Sequence, residues 1–341
     1  MGRYSPNADW ATHHPEAPAL SLIVAVDTMD AGTRRSIDHM LKVVGESPCE
    51  VIVAAREIWP DAPPELTVVA CTSDSRGVRF DQAASRAKGR ILAFLDDRVR
   101  LPDGWPQRVI KFFDDPAIAI AGGPVLPRSW SRAERVSALL LKGHLGMAPT
   151  ASISPTDQPR IVAELTQSNV LIRNDVFRRV GGFRTPHAGG ETLRLCHNVR
   201  LLLGCTINYE PDLAVLARTR PFPGPFLAET AAAGRTRGDI ARRSPEVAPF
   251  HRYALPSLVT LVVLLEVALF LIPVPHHPWK AALVGGALLL VLYLMQAGRV
   301  AFGKGPARIS DRVLAALGVP LVTVTYGVAF VRGFFDTGWR L

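Results

Sequence analysis

"RILAFLDDRVRLPDGW", residues 90–105, decides how this chain is read. Ile91, Leu92, Ala93, Phe94 and Leu95 make an unbroken apolar run, the length of a core strand and short for a helix. Asp96 and Asp97 follow with no spacer. Open α/β sheets take their ligands at the carboxyl ends of their strands. A carboxylate pair at such a place is a hard-oxygen donor set for a divalent cation. Arg98 then stands where a third acid would extend that set.

Working outward, "LSLIVAV" (20–26), "CEVIVAA" (49–55) and "ELTVVAC" (65–71) are runs of the same buried-strand type. Between the first two, Ile37, Met40, Leu41 and Val44 recur at helical spacing. "FDQAASRAKGR", beginning at Phe80, has helical composition, with Gly89 as its stop. Strands alternating with helices predict an α/β fold, Rossmann-like, around a mostly parallel sheet. "AIAIAGGPVLP" (117–127) is read as a further strand ending in Gly-Gly-Pro, and the Pro/Ser/Thr-rich residues 146–160 as a loop. Residues 165–183 give a strand, a turn and a short helix, with Gly181 and Gly182 making the turn. Residues 189–217 give a helix and two strands, and 226–245 a basic amphipathic helix carrying Arg235, Arg237, Arg242 and Arg243.

After residue 253 the solvent changes. Three stretches, about 254–274, 281–298 and 314–335, are apolar and near the length that crosses roughly 30 Å of hydrocarbon. The expected organisation is a flexible N-terminus (1–19), an α/β domain (20–225), a basic interfacial segment (226–253), three transmembrane helices (254–335) and a tail (336–341). Arg299, Lys304, Arg308 and Arg312 lie between the second and third spans, so the positive-inside rule sets that loop, and with it the N-terminal domain, in the cytosol. Arg242 and Arg243 are placed to meet anionic headgroups, worth about 1 kcal/mol each. Glu266 falls in the middle of the first span, where a carboxylate either serves function or pairs within the bundle.

Net charge is +9, but no DNA- or RNA-binding signature accompanies it, so nucleic acid is not an expected partner. Cys49, Cys71, Cys196 and Cys205 form no C-x-x-C pair and read as reduced core thiols. The first twenty residues lack the apolar core of an export signal.

The order "ILAFLDD", "SNVLIRNDVFRRVGGF", "GGETLRLC", "INYEPDLAVLARTRP", "GRTRGDIARRSP", then membrane spans, resembles the membrane-attached family 2 glycosyltransferases of GT-A fold, the exopolysaccharide and lipid-linked glycan type. The resemblance covers roughly residues 20–253 and implies an inverting transfer from a nucleotide-sugar donor to a lipid-linked or polysaccharide acceptor. It implies the cytosolic face of the cytoplasmic (inner) membrane, with membrane lipids and a partner transferase or glycan-export proteins as company. It assigns donor diphosphate to Asp96, Arg98, Arg235 and Arg237, acceptor contacts to Asn169 and Arg173, and catalytic carboxylates to Asp97 and Glu191. It implies Mg²⁺ or Mn²⁺ on Asp96 and Asp97.

The motifs depart from the family at five places. Ala54-Ala55 replaces acid after the second strand, and Phe80-Asp81 replaces Arg-Asn. Arg98 replaces the third aspartate, Thr192 the usual base, and Ala217 a histidine. Arg98 either supplies the metal's charge to phosphate or only pairs with its neighbours. Glu191 either takes over as base or only favours its helix N-terminus. Hence two functions stand: an active glycosyltransferase, or a degenerate pseudo-glycosyltransferase acting as a scaffold subunit of a glycan-assembly complex. A transporter is disfavoured by the small number of spans.

Overall fold

The computed structural model describes residues 17–45, 47–57, 59–141, 158–183, 189–248, 253–271, 279–302 and 307–336. The chain divides into two units. The first comprises Met1–Pro127 and Thr150–Arg218, the second Arg128–Pro149 and Thr219–Leu341.

The first unit is built on strands β1 (Leu20–Val26), β2 (Cys49–Ala55), β3 (Leu66–Ala70) and β4 (Ile91–Asp96), close to where the apolar runs predict them. With β6 (Ile120–Gly122), β8 (Arg160–Val162), β9 (Asn169–Arg173) and β10 (Ile207–Tyr209) they form one sheet in the order β3-β2-β1-β4-β9-β6-β10-β8. The β3-β2-β1-β4 half is parallel throughout, β10 runs parallel to β6, and β9 and β8 are antiparallel to their neighbours. The expected mostly parallel α/β fold is therefore present.

Alternation along the strands sends side chains to two cores. Leu22, Val24, Val51, Val53, Ala93 and Leu95 meet Ile37 and Met40 of helix α1 (Ala31–Val44), which starts on Asp30 as N-cap with the Thr33 N–H at 2.8 Å. On the other face Ile23, Ile52 and Phe94 meet Phe80 and Ala83 of helix α2 (Arg76–Arg86). Phe94 lies 5.1 Å from the Phe80 ring and 4.8 Å from Phe183, edge-on in both cases. Helix α3 (Trp105–Phe112) follows the acidic turn, with the Trp105 indole N–H donating to the Leu213 carbonyl at 3.2 Å.

The strand expected to end in Gly-Gly-Pro is present as β6, and a second strand follows it. β6 ends at Gly122, and β7 (Val125–Arg128) joins a second, three-stranded sheet in the order β5-β11-β7, with β5 Val99–Arg100 and β11 Val215–Arg218. Gly123 sits where the crossing occurs, and any Cβ there would collide with the Leu213 main chain.

The second unit is helical. Helix α4 (Arg132–Leu140) opens with a capping box in which Ser131 and Glu134 each accept from the other's main chain. After helices α5 (Asn174–Val180) and α6 (Glu191–Leu203) of the first unit come α7 (Gly224–Arg243), α8 (Leu255–Leu271), α9 (Trp279–Phe302) and α10 (Ile309–Phe335). Val136, Leu139 and Leu140 of α4 and Phe226 of α7 share one apolar cluster with Ala315, Val319 and Val322 of α10. Arg132 and Arg135 of α4 close on Asp311 of α10 at 3.1 and 2.8 Å. Helix α4 thus packs with α7 and α10 within the second unit. Among the described residues, two helices, Gly285–Phe302 and Ile309–Phe335, are long and apolar enough to cross a membrane, and Leu255–Glu266 is a shorter apolar helix. Leu258, Leu261, Leu264, Leu288 and Leu294 are each more than half exposed.

Candidate active site

β1 is the strand at which the sheet changes direction of growth: β2 lies on one side of it and β4 on the other. A crevice at the carboxyl ends of such a strand pair is the ligand site of open α/β sheets. Asp27 directly follows β1, and Asp96, Asp97 and Arg98 end β4. Between them stands the first turn of α2, capped by Ser75.

Asp96 is 3% exposed, and both of its oxygens are taken by arginine. Its Oδ1 accepts from the Arg98 main-chain N–H at 3.0 Å and from Arg98 Nε at 2.9 Å. Its Oδ2 accepts from Arg98 Nη2 at 3.2 Å and Arg76 Nη1 at 3.1 Å. Arg76 also reaches Asp27, Nη2 to Oδ2, at 3.7 Å. Arg79, almost fully buried, donates to the Val26 carbonyl at 2.9 Å and pairs with Asp27 Oδ1. Burial alone would raise the Asp96 carboxyl, but the charges of Arg98 and Arg76 outweigh it and hold the group well below the usual carboxylate range. Asp97 goes the other way: burial, and next the Asp96 charge beside it, push it up to about 7. Arg76 is raised despite its desolvation, by Asp96, Asp97 and Asp27.

The residues at β4 therefore do not fit a divalent cation. Both oxygens of the more acidic carboxylate carry guanidinium donors, and a cation placed there would face two positive charges. Among the described residues no group of three or more His, Cys, Asp or Glu side chains could hold a metal.

Glu191 opens α6 and is 1% exposed. Its Oε1 accepts from the Gly189 N–H at 2.9 Å and its Oε2 from Gln167 Nε2 at 3.2 Å. Gln167 precedes β9, whose Asn169 is the register partner of Leu95, so it belongs to the sheet edge that carries Asp96. Beside Glu191, the Thr192 hydroxyl is buried with no hydrogen-bond partner. His187 lies outside the described residues.

Asn169 is fully buried and donates to the Gly123 and Leu213 carbonyls at 3.2 and 2.8 Å, while its own carbonyl oxygen has no partner. Arg173 pairs in register with Ile91, at the far end of β4 from Asp96. It donates to the Ile118, Phe113 and Asp115 carbonyls at 2.7, 2.6 and 2.8 Å, which ties down the turn before β6. That position differs from the acceptor contact expected of Arg173: its donors serve main-chain carbonyls, away from the acidic edge. Arg235 and Arg237 lie on α7 in the second unit, with Arg237 over the Tyr253 ring at 4.8 Å. Glu266 lies on α8, facing Gly285 of α9 closely enough that a Cβ there would strike its carboxylate. All four cysteines are free, and burial raises the Cys49 and Cys196 thiols to about 11 and about 12.

Sequence reasoning missed Asp27, Arg76, Arg79 and Gln167. The available signal was Ser75, a helix-capping residue immediately before Arg76. The sequence pattern is read as helical only from Phe80 onward, so the first turn, with Arg76, goes unread.

The fold and site define an α/β protein with an arginine-rich crevice at the switch point of its sheet and a buried glutamate on the same edge. No family model matches the chain. It is similar to the pre-mycofactocin glycosyltransferase of Mycobacterium tuberculosis, in strains CDC 1551 / Oshkosh and ATCC 25618 / H37Rv, at 26% identity over 203 residues. That similarity takes in 58% of this chain and spans 38% of the relative's length. Among solved structures, it is similar to GalNAc-T7 crystallised with UDP, GalNAc and Mn²⁺, with 11% identity, 70% of this chain, 51% of that one and a TM-score of 0.46. A crystallised mycobacterial protein shares 15% identity over 72% of this chain and 80% of its own, also at TM-score 0.46.

Proposed function

We propose that the chain is an inverting glycosyltransferase of GT-A type, moving a sugar from a nucleotide-sugar donor to a lipid-linked or polysaccharide acceptor. The observation that carries this reading is the similarity to a glycosyltransferase over 203 residues, in a chain whose buried carboxylate Glu191 stands on the same sheet edge as a cationic crevice. In this reading the Asp27–Asp96 crevice takes the donor's diphosphate. Glu191, oriented through the Gly189 N–H and Gln167, removes the acceptor hydroxyl's proton as that oxygen attacks the anomeric carbon. The C–O bond to the nucleoside diphosphate breaks, and the diphosphate leaves with its electron pair, inverting the anomeric centre. The two long apolar helices support a seat at the membrane, where a lipid-linked acceptor is at hand. The cytosolic face rests on the basic loop between the last two helices.

The test is sugar transfer from radiolabelled nucleotide sugars into the lipid fraction of membranes containing the protein. Glu191→Gln is expected to lower kcat by about 100-fold or more, the range of general-base contributions, with donor binding unchanged. Unimpaired transfer by Glu191→Gln would remove Glu191 from the mechanism. The scaffold reading draws on one observation, the complete engagement of Asp96 by arginine. It would prevail if native protein turned over no donor while Asp96→Ala and Glu191→Ala kept its cellular role.

A further inference from the structure

We propose that the donor diphosphate is held without a metal ion, by a two-guanidinium seat made of Arg76 and Arg98 and anchored on Asp96. The proposal rests on the glycosyltransferase reading and names the chemistry of its donor site.

Asp96 is the pedestal. Its side chain is 3% exposed, whereas those of Arg76 and Arg98 are 23% and 24% exposed. Both guanidiniums are thus more open to solvent than the Asp96 carboxylate they cover, and the half-exposed Asp27 is itself paired with Arg76 and Arg79. An ionised carboxylate offers about four lone-pair sites, and here four donors take them. The arginines are thereby fixed in orientation before any ligand arrives. A guanidinium held in this way can grip phosphate oxygens in two-pronged fashion, which an ammonium cannot.

Arg76 extends the seat across the switch point, because it reaches Asp27 after β1 as well as Asp96 after β4. It is also the first residue of α2, eleven residues long, whose N-terminal end favours anions. Arg79 is not part of the seat. It lies beneath, bound to the Val26 carbonyl and to Asp27, and keeps Asp27 in position for Arg76. The ligand class that fits two guanidiniums at a helix N-terminus in a sheet crevice is a nucleoside diphosphate or its sugar ester.

The test is calorimetric titration of the detergent-purified full chain with UDP and with GDP, first in EDTA and then in Mg²⁺ or Mn²⁺. The same Kd in both media is expected for whichever nucleotide binds. Arg76→Ala and Arg98→Ala are each expected to weaken binding by about 10-fold or more, as loss of charged hydrogen bonds does. Arg76→Lys and Arg98→Lys keep the charge and lose the fork. They are expected to bind between native and alanine variants, with melting temperatures near native. Binding that needs the metal and tolerates Arg98→Lys would overturn the two-guanidinium seat and leave the transferase reading standing. Binding of neither nucleotide in either medium would overturn both.

Discussion

Asp96 and Asp97 are neighbours in sequence and opposite in chemistry. Asp96 ionises readily because two guanidiniums face it, and its contribution to stability persists to strongly acid pH. Asp97, raised from 3.8 to about 7 by burial and then by the Asp96 charge, has the reverse linkage. The folded chain binds its proton more tightly than the unfolded one, so the stabilisation is complete below about pH 4 and declines as pH rises towards 7. Melting temperature is therefore expected to fall across that window, and Asp97→Asn to flatten it and melt higher than native at about pH 8. An unchanged slope in Asp97→Asn would show that Asp97 ionises normally. A second residue-scale prediction concerns Asp81, at one of the departures from the family pattern. Its Oδ1 accepts from the Phe183 N–H at 2.9 Å, beneath the Gly181–Gly182 turn, where φ is 79° and 74°. Asp81→Ala leaves that N–H without a partner and is expected to cost about 1–3 kcal/mol in chemical denaturation, with little change in the binding of nucleoside diphosphate.

Elements were legible where one physical signal dominated. β1, β2 and β4 are mostly apolar runs of strand length bounded by polar or turn residues, which favours core strands. The crevice was half legible for the same reason: Asp96 and Asp97 follow such a run, but their arginine partner Arg76 comes from the first turn of a helix expected only from Phe80 onward. The end of β6 at Gly-Gly-Pro was legible, but the passage of β7 into a second sheet was not, because local pattern carries no trace of a sheet change, which is decided by Gly123 passing the Leu213 main chain. The packing of α7 on α10 was equally silent. Gly234 and Gly238 let α7 approach Tyr326 and Phe330, and Gly333 lets α10 pass under the Arg235 carbonyl. A Cβ on Gly238 would overlap the Phe330 main chain, where no flexible side-chain tip can yield. Gly238→Ala is expected to destabilise the helical unit by about 1–3 kcal/mol, in line with overpacking elsewhere. Faster proteolysis between α7 and α10 would register it. A native digestion rate would show that the helices part without cost.

At the scale of the molecule, composition alone separates an α/β stretch ending near residue 253 from the apolar stretches after it. Helices α4 and α7 fall in the same unit as the apolar helices. The reason lies in α4: its charged face, Arg132 and Arg135, is complementary to Asp311, and its apolar face meets α10. No helix is read over residues 132–140 in the sequence, and local pattern does not say which partner would cover one. Removing α8–α10 would strip Ala315, Val319 and Val322 from Val136, Leu139, Leu140 and Phe226. Each large apolar side chain so exposed forfeits up to about 1.5–3 kcal/mol. Four of them approach the 5–15 kcal/mol that holds a typical domain folded. A fragment ending at residue 253 is therefore expected to aggregate, or to be cleaved rapidly within α4 and α7, while the full chain in detergent is monodisperse. If instead the fragment proved soluble, monodisperse and protease-resistant across α4 and α7, the C-terminal helices would be an anchor only, and the contacts of Asp311 and Val319 would contribute nothing to holding α4 in place.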